Sequence, residues 1–218
     1  MKKILLPLLL ILAVGMLAAV ESEPSEIVGY VKYDIAEGNS MLAIPMTTTF
    51  TTAGDLGNSL GAITVSYWDN SLQIFIGAMY IDWLGDWDNN FPIETGSVLM
   101  VNTPSATTFY SIGNLPATNP TYTLLVGNNT IMIPLNRSDL NMAGLVGNAT
   151  NSSVVSYWDN DLQVFVGSMY IDWLGDWDNN FPTSIGDPLI VNSYSAGVFP
   201  GVTKANNIIL KNSGNTRK

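Results

Sequence analysis

Hydrophobic residues along the chain occur mostly in short runs bounded by Pro, Gly, Asn and Asp, a pattern typical of β-strands. Residues 41–44 and 130–133 are such runs, and each ends at a proline. Residues 63–68 and 72–77 flank Asp69-Asn70-Ser71, which predicts a β-hairpin in which the Asp69 side chain closes the turn. Because the second strand of this hairpin is apolar on both faces, we expect it to be buried on both sides.

Further along, two strands at residues 98–102 and 107–111 are predicted to form a second hairpin around Thr103-Pro104-Ser105-Ala106. One short helical turn is expected at residues 49–57, with Thr49 as its N-cap and Gly57-Asn58 as its C-terminal stop. The equivalent turn lies at residues 138–147, with Ser138 as N-cap and Gly147-Asn148 as stop.

These elements occur twice, because the chain is a tandem duplication. Residues 66–92 recur at 156–182, an offset of 90, and only four of the 27 positions differ. We therefore predict a mainly β fold of two homologous β-rich lobes, at residues 27–114 and 121–203, each with one short helix and a sandwich- or barrel-like form. A pseudo-twofold packing of the lobes is expected, and the sequence leaves open whether they share one core.

The two ends of the chain differ from the repeats. Lys2 and Lys3 precede an apolar run at residues 4–14 and small residues before Glu21, which predicts a secretory signal peptide over residues 1–19. The alternative is an uncleaved anchor; after cleavage we expect no membrane span and a protein that is secreted or held at the cell surface. Residues 204–218 form a basic tail, and its β-prone segment 206–210 is suited to adding a strand to a neighbour's sheet edge.

Composition then excludes several kinds of chemistry. The 218-residue chain has no His and no Cys, so it lacks the residues for a Ser/His/Asp triad, a thiolate nucleophile, haem ligation or an ordinary zinc site. Its formal net charge is −10, and −12 once residues 1–19 are removed, which argues against nucleic-acid binding because phosphate neutralisation needs clustered Lys and Arg.

The segment IDWLGDWDNNFP, identical in both repeats, carries the specific chemistry. Aromatic faces that stack on sugar rings, beside acids and amides that bind hydroxyls, predict a carbohydrate platform, although large aromatic residues are usually core. The platform residues are Trp83, Trp87, Asp88, Asn89 and Asn90 in the first repeat and Trp173, Trp177, Asp178, Asn179 and Asn180 in the second.

The same loops suggest one cofactor, a structural calcium ion, because hard cations prefer oxygen ligands at alternating positions. The candidate ligands are Asp82, Asp86, Asp88 and Asn90, with their counterparts Asp172, Asp176, Asp178 and Asn180. Phe91 stands where an EF-hand loop needs glycine, so the pattern departs from that motif. In the alternative interpretation the acids cap turns and keep the surface soluble, with Asp69 and Asp159 closing hairpins. An acid pair such as Asp82 and Asp86 duplicated in both repeats does not indicate a glycosidase, and we expect no enzymatic activity.

With the SYWDN hairpin, the NNFP loop and the apolar Val-Asn strand in place, residues 27–203 resemble a group of secreted prokaryotic two-repeat proteins. The second repeat departs from the first at residues 182–185, before the last strands. The resemblance implies extracellular or surface-associated material with no assigned activity. Together with the duplication, it favours a secreted, non-catalytic structural or adhesive subunit that self-associates into a filament or surface layer. The alternative is a module that binds a surface glycan.

Overall fold

The protein, described by a computed structural model over residues 28–200, is mainly β with two short α-helices. The predicted signal peptide and the basic tail lie outside the described residues. Lobe 1 contains β1 (Val28–Ile35), β2 (Gly38–Ala43), α1 (Ala53–Leu60), β3 (Thr64–Asp69), β4 (Ile74–Ile81), β5 (Asp86–Trp87), β6 (Val98–Thr103) and β7 (Thr107–Asn114). Lobe 2 contains β8 (Tyr122–Leu124), β9 (Gly127–Met132), α2 (Ala143–Thr150), β10 (Ser152–Asp159), β11 (Val164–Ile171), β12 (Asp176–Trp177), β13 (Pro188–Ser193) and β14 (Gly197–Phe199).

Each lobe is built from one five-stranded sheet and one two-stranded ribbon, and every strand pair is antiparallel. The sheet of lobe 1 has the order β2-β6-β3-β4-β5, and that of lobe 2 has the order β9-β13-β10-β11-β12. The ribbons are β1-β7 and β8-β14. The registers match as well, since Tyr67 lies opposite Ile76 in lobe 1 and Tyr157 opposite Val166 in lobe 2. The predicted mainly β fold with two homologous lobes and one short helix in each is confirmed.

Each lobe has its own hydrophobic core on one face of its sheet. In lobe 1 the helix buries Ala53, Leu56 and Leu60 against a cluster that includes Val65 and Leu99. In lobe 2 an equivalent cluster surrounds helix α2 and includes Val146, Val155 and Leu189. A third cluster joins the opposite faces of the two sheets, where Met41, Ala43 and Val98 of lobe 1 meet Met132 of lobe 2. The lobes therefore have separate cores and a shared interface as well.

Both helices begin later than predicted. The N-cap of α1 is Thr52 and not Thr49, because the Thr52 hydroxyl accepts from Asp55 N at 3.2 Å while the Asp55 carboxylate accepts from Thr52 N at 2.9 Å. Its C-cap is Gly61 in the left-handed region, at φ 63. Helix α2 begins after Met142 rather than Ser138, with no side-chain cap. It ends at Thr150, with Asn151 as its C-cap at φ 50, and not at Gly147-Asn148.

The predicted second hairpin is wrong. Strand β6 lies between β2 and β3, so both of its edges are already paired and none remains for β7. Strand β7 instead pairs with β1 over eight residues, from Val28 opposite Asn114 to Ile35 opposite Thr107.

The burial predicted for β4 is also wrong. Ala78 is buried in the core of lobe 1, but Ile74, Phe75 and Met79 are exposed. The reason is position in the sheet: β4 has only the two-residue strand β5 beyond it, and the contact between the lobes is made by β2 and β6 at the other side.

Lobe 2 forms hydrogen bonds to lobe 1 through the turn between β10 and β11. The Gln163 side chain accepts from Asn39 N at 2.7 Å and donates to Asn39 O at 2.9 Å. The indole of Trp158 donates to the same carbonyl at 2.8 Å. Gln163 has φ 55, a conformation uncommon for a residue other than glycine, so the turn aims this side chain across the interface.

The reverse contact has the same geometry. Gln73, at φ 56, accepts from Asn128 N at 2.9 Å and donates to Asn128 O at 2.8 Å, while Trp68 donates to Asn128 O at 3.0 Å. We call these two sets of contacts the hairpin clamps. Because each lobe gives and receives the same contact, the lobes are related by a pseudo-twofold axis.

Candidate functional site

The tryptophan loop of each repeat, IDWLGDWDNNFP, opens with a tight turn after β4 or β11. In lobe 1 the amides of Leu84 and Gly85 both donate to Ile81 O, at 2.9 and 2.8 Å. Gly85 has φ 68, which glycine adopts without strain. The turn leaves the Trp83 side chain 87% exposed, and Trp173 in lobe 2 is exposed to the same degree.

The second tryptophan of each loop is core rather than surface. Trp87 is 7% exposed and Trp177 is 9% exposed. The Trp87 ring lies over helix α1, where a Cβ added at Gly57 would come within 2.2 Å of it, and its Nε1 donates to Asn58 Oδ1 at 2.9 Å. Of the two tryptophans that each predicted platform contains, only Trp83 and Trp173 are on the surface.

The polar residues of the loops bind backbone groups. Asp88 Oδ1 accepts from Met79 N at 2.6 Å, Asn89 Nδ2 donates to Gly77 O at 2.9 Å, and Asn90 Oδ1 accepts from Gly54 N at 2.8 Å. In lobe 2 the same roles are taken by Asp178 on Met169, Asn179 on Gly167 and Asn180 on Gly144. These side chains therefore fasten the loop to the sheet edge and to the helix.

The predicted calcium ligands do not form a cation site. Asp86 Oδ1 accepts from Trp87 N at 2.8 Å, as Asp176 does from Trp177 N, and Asp82 and Asp172 lie exposed on the turn after β4 and β11. Among residues 28–200, no group of three or more acidic side chains is arranged to hold a metal ion. The donor set thus does not fit a calcium ion, whose coordination needs six to eight converging oxygens.

The hairpin acids act as predicted. Asp69 Oδ1 accepts from the amides of Ser71 and Leu72 at 2.8 and 2.9 Å. Asp159 Oδ1 accepts from Asp161 N and Leu162 N at 2.9 and 2.8 Å. The expectation that Asp69 and Asp159 close the hairpins is confirmed.

An exposed apolar surface runs along β4 into the tryptophan turn, and sequence reasoning missed it because the apolar pattern indicated burial. We call this surface edge 1, and it consists of Leu72, Ile74, Phe75, Met79, Trp83 and Leu84. Edge 2 consists of the counterparts Leu162, Val164, Phe165, Met169, Trp173 and Leu174. All twelve side chains are exposed, and neither β4 nor β11 contains a charged residue or a proline.

The backbone at these surfaces is partly open. Strand β5 pairs only with Tyr80 and Ile81, and the side chains of Asp88 and Asn89 cover Met79 and Gly77. Tyr80 N donates toward β3, to Ile63 O, so the alternating residues of β4 direct their backbone groups outward. Within the described chain, the outward groups of Phe75 have no strand beside them.

Two clefts lie where the lobes meet. Cleft 1, of about 370 Å³, is lined by Tyr67, Trp68, Phe91 and Ser97 of lobe 1 together with Tyr122 of lobe 2. Cleft 2, of about 330 Å³, is lined by Tyr157, Trp158, Phe181 and Asp187 of lobe 2 together with Met41 of lobe 1. The sequence repeat places Asp187 where lobe 1 has Ser97, and it places Ser184 where lobe 1 has Glu94, so each cleft has one carboxylate near this turn but at a different position.

Asp187 is an acid of cleft 2 whose pKa is raised by burial. Burial raises the pKa of its carboxyl above the usual range, although the Ser184 amide, which donates to Oδ2 at 2.7 Å, opposes this shift. Nearby, the Tyr33 hydroxyl donates to Gly186 O at 2.8 Å, and burial raises the pKa of that phenol.

Acidic residues greatly outnumber basic residues in the described part of the chain. Residues 28–200 contain two basic residues against fifteen acidic residues, which is a net formal charge of −13. Both basic residues are already paired, Lys32 with Asp34 and Arg137 with Asp139, each at 2.8 Å. In the same part of the chain, no helix combines the length and the apolar character needed to cross a bilayer.

Comparison with known proteins adds no function to this geometry. No protein-family model matches the chain, and searches of curated proteins and of solved structures returned no match.

Proposed function

We propose that the protein is a secreted, non-catalytic structural or adhesive subunit that self-assembles through edges 1 and 2. The observation that carries the proposal is the duplication of an exposed, uncharged, apolar strand whose outer backbone edge is partly open. Soluble proteins usually protect such edges with charges, prolines or covering segments, because an exposed apolar edge pairs with other strands.

The geometry supports a chain of subunits. Each molecule has two equivalent edges, edge 1 on β4 of lobe 1 and edge 2 on β11 of lobe 2. The pseudo-twofold axis relates one edge to the other. A subunit with one self-associating edge stops at a dimer, whereas a subunit with two such edges continues to add copies. Each contact would hide apolar side chains and extend a sheet across the junction.

Substitution of one edge at a time tests this proposal. Ile74→Lys and Val164→Lys each put a cation on one exposed edge position, in lobe 1 and lobe 2 respectively. We expect the mature wild-type chain to form polymers, each single variant to stop at dimers, and the double variant to remain a monomer. Sedimentation velocity and negative-stain microscopy measure the three states.

The matched control is Val126→Lys. Val126 is an exposed apolar residue in lobe 2 just before β9, which lies at the opposite end of its sheet from β11. This variant adds the same charge and should still polymerise. Polymers in the double edge variant, or a monomeric wild type under all conditions, would contradict the proposal.

A second candidate function, glycan binding, is favoured by the exposed indoles of Trp83 and Trp173. Stacking on a sugar ring needs an accessible aromatic face, and each lobe supplies one beside exposed acids. Its test is affinity electrophoresis in polysaccharide gels with Trp83→Ala/Trp173→Ala. Retardation that is lost in this variant and kept in Ile74→Lys/Val164→Lys would support glycan binding rather than assembly.

A further inference from the structure

Lobe 2 contains four Asn-x-Ser/Thr motifs, and lobe 1 contains none. The motifs begin at Asn128, Asn136, Asn148 and Asn151. Such a motif is the acceptor for N-linked glycans in exported proteins, provided that x is not proline. Because glycans are bulky and are attached at surface loops, the acceptor amide and the hydroxyl two residues later must both be accessible. The fold therefore decides which of the four motifs is a candidate site.

The motif at Asn148 lies inside helix α2 and is closed at both ends. The Asn148 amide oxygen accepts from Trp177 Nε1 at 3.3 Å. Thr150, the hydroxyl residue of the motif, is 3% exposed and donates to Val146 O at 2.9 Å. Access to this hydroxyl would require helix α2 to leave the core of its lobe.

The motifs at Asn128 and Asn151 are held by hydrogen bonds. Asn128 lies within strand β9, opposite Asn192 of β13, and its Oδ1 accepts from Asn192 Nδ2 at 2.8 Å. Asn151 Nδ2 donates to Ser195 Oγ at 2.9 Å. The hydroxyl of the same motif, on Ser153, donates to Asn192 Oδ1 at 3.2 Å. Modification at either asparagine therefore competes with contacts of the fold.

The motif at Asn136 is open. It lies between β9 and α2 in two consecutive turns, closed by Arg137 N to Pro134 O at 2.9 Å and by Leu140 N to Arg137 O at 3.0 Å. Asn136 and Ser138 are exposed, and neither side chain has a hydrogen-bond partner among residues 28–200. Pro134 and Leu140 are buried, so the motif forms an exposed loop with fixed ends.

We propose that Asn136 is an N-glycosylation site, with Ser138 as the hydroxyl residue that the transferase recognises. This inference rests on the proposed secretion, because the oligosaccharide donor is lipid-linked and reaches the chain at the export membrane. In the transfer, the Asn136 amide nitrogen forms a bond to C1 of a lipid-pyrophosphate-linked oligosaccharide. The bond between C1 and the phosphate oxygen breaks, the lipid pyrophosphate leaves, and the nitrogen releases one proton to solvent.

A glycan at this position is compatible with the proposed assembly. Asn136 follows β9, which lies at the opposite end of its sheet from β11 and therefore from edge 2. An oligosaccharide is bulky and solubilising, so it would protect this end of lobe 2 and leave edge 2 uncovered.

Mass spectrometry of the mature chain, recovered from outside the cells that produce it, tests the site. Electron-transfer fragmentation leaves the glycan on its asparagine and so assigns it to one residue. We expect the occupancy at Asn136 to exceed that at each of the other three motifs by a factor on the order of ten, because modification there breaks at least one hydrogen bond.

Variants produced in the same cells identify the reaction. Asn136→Gln and Ser138→Ala should each remove the glycan, the second although the acceptor amide is still present. Ser138→Thr should keep it, since threonine also supplies the hydroxyl. Asn151→Gln is the matched control, because it removes an exposed asparagine from another motif of the same lobe, and it should leave the mass of the glycan unchanged.

Transfer in vitro separates this inference from the proposed secretion. The folded wild-type chain is incubated with a lipid-linked oligosaccharide and an oligosaccharyltransferase that requires only Asn-x-Ser/Thr, and we expect glycan on Asn136 alone. Transfer to another asparagine, no transfer, or an exported chain without glycan at Asn136 would overturn the inference and leave the proposed function standing. A chain that stays inside the cell would contradict the proposed function, and transfer in vitro then decides the site.

Discussion

Individual acids and amides of this protein act mainly as partners of backbone groups. Asp69, Asp88 and Asn90 each accept from main-chain amides, and Asp55 completes the cap of α1. Such side chains replace the hydrogen bonds that turns and helix ends lack. This explains why residues that suggest calcium or sugar chemistry in the sequence are largely committed within the fold.

The cap of α1 gives a prediction with a built-in comparison, because α2 has Met142 and Leu145 where α1 has Thr52 and Asp55. Asp55→Asn should lower the free energy of unfolding by about 0.5–1 kcal/mol at pH 7. The Thr51 amide, followed by the Thr51 and Thr52 hydroxyls, holds the pKa of Asp55 below its usual range. The stabilisation is therefore present above the unfolded-state pKa and is lost as the pH falls through the folded-state value.

Chemical denaturation at several pH values measures this effect. Leu145→Asn in α2 is the control, since no cap is lost there. An Asp55→Asn effect that does not shrink with acidification would show that the carboxylate charge is not what stabilises the helix end.

Gly57 gives a second prediction at this scale. In an exposed helix, Gly→Ala stabilises by up to about 1 kcal/mol, but here the Trp87 ring occupies the space that a Cβ needs. Gly57→Ala and Gly147→Ala should each destabilise their lobe by about 1–3 kcal/mol. Thermal unfolding measures this, with Gly197→Ala as the control because nothing lies within 4 Å of its added Cβ. Stabilisation by Gly57→Ala would show that the ring can move aside.

At the scale of elements, the hairpin clamps decide how the lobes meet. The four-residue turn between β3 and β4 holds Gln73 in the left-handed region and directs it to Asn128. The sequence predicted a turn here from Asp69, and that was correct. The sequence did not reveal that Gln73 binds the backbone of the other lobe. Glutamine in a turn has no distinctive pattern, and its partner Asn128 lies 55 residues away.

Removing a clamp should weaken the whole molecule. Gln73→Ala and Gln163→Ala should each lower the free energy of unfolding by about 1–3 kcal/mol, because each leaves a half-buried backbone amide without its partner. Leu72→Ala, an exposed neighbour in the same turn, is the control and should have little effect. Denaturation of dilute protein measures all three, and a Gln73→Ala effect no larger than that of Leu72→Ala would mean that the clamps contribute nothing.

For the whole molecule, the net charge of the described body opposes the assembly that we propose for edges 1 and 2. Fifteen acids against two paired cations repel a second copy, and this repulsion extends about 30 Å at 0.01 M salt but about 8 Å at 0.15 M. We therefore expect the mass of the polymers to increase with ionic strength, since screening removes the repulsion and leaves apolar contact.

Static light scattering at fixed protein concentration and increasing NaCl measures this dependence. Calcium and magnesium chloride at matched ionic strength provide the control, and they should act alike because the loop acids do not converge on a cation. Polymers that dissolve as salt rises would indicate that attraction between basic and acidic segments, rather than the apolar edges, drives association.

The sequence by itself determined the duplication, the β-rich character of each lobe, one short helix per lobe and the Asp69 and Asp159 turns, because these follow from local periodicity, turn chemistry and self-similarity. The tertiary structure alone decided which strands are neighbours, that β4 and β11 are exposed, that Trp87 and Trp177 fill cores while Trp83 and Trp173 do not, and that Gln73 and Asp187 face the other lobe or its cleft. The physical reason is that an apolar side chain follows the same pattern whether a partner covers it or not, and the partner is supplied by segments distant in the chain.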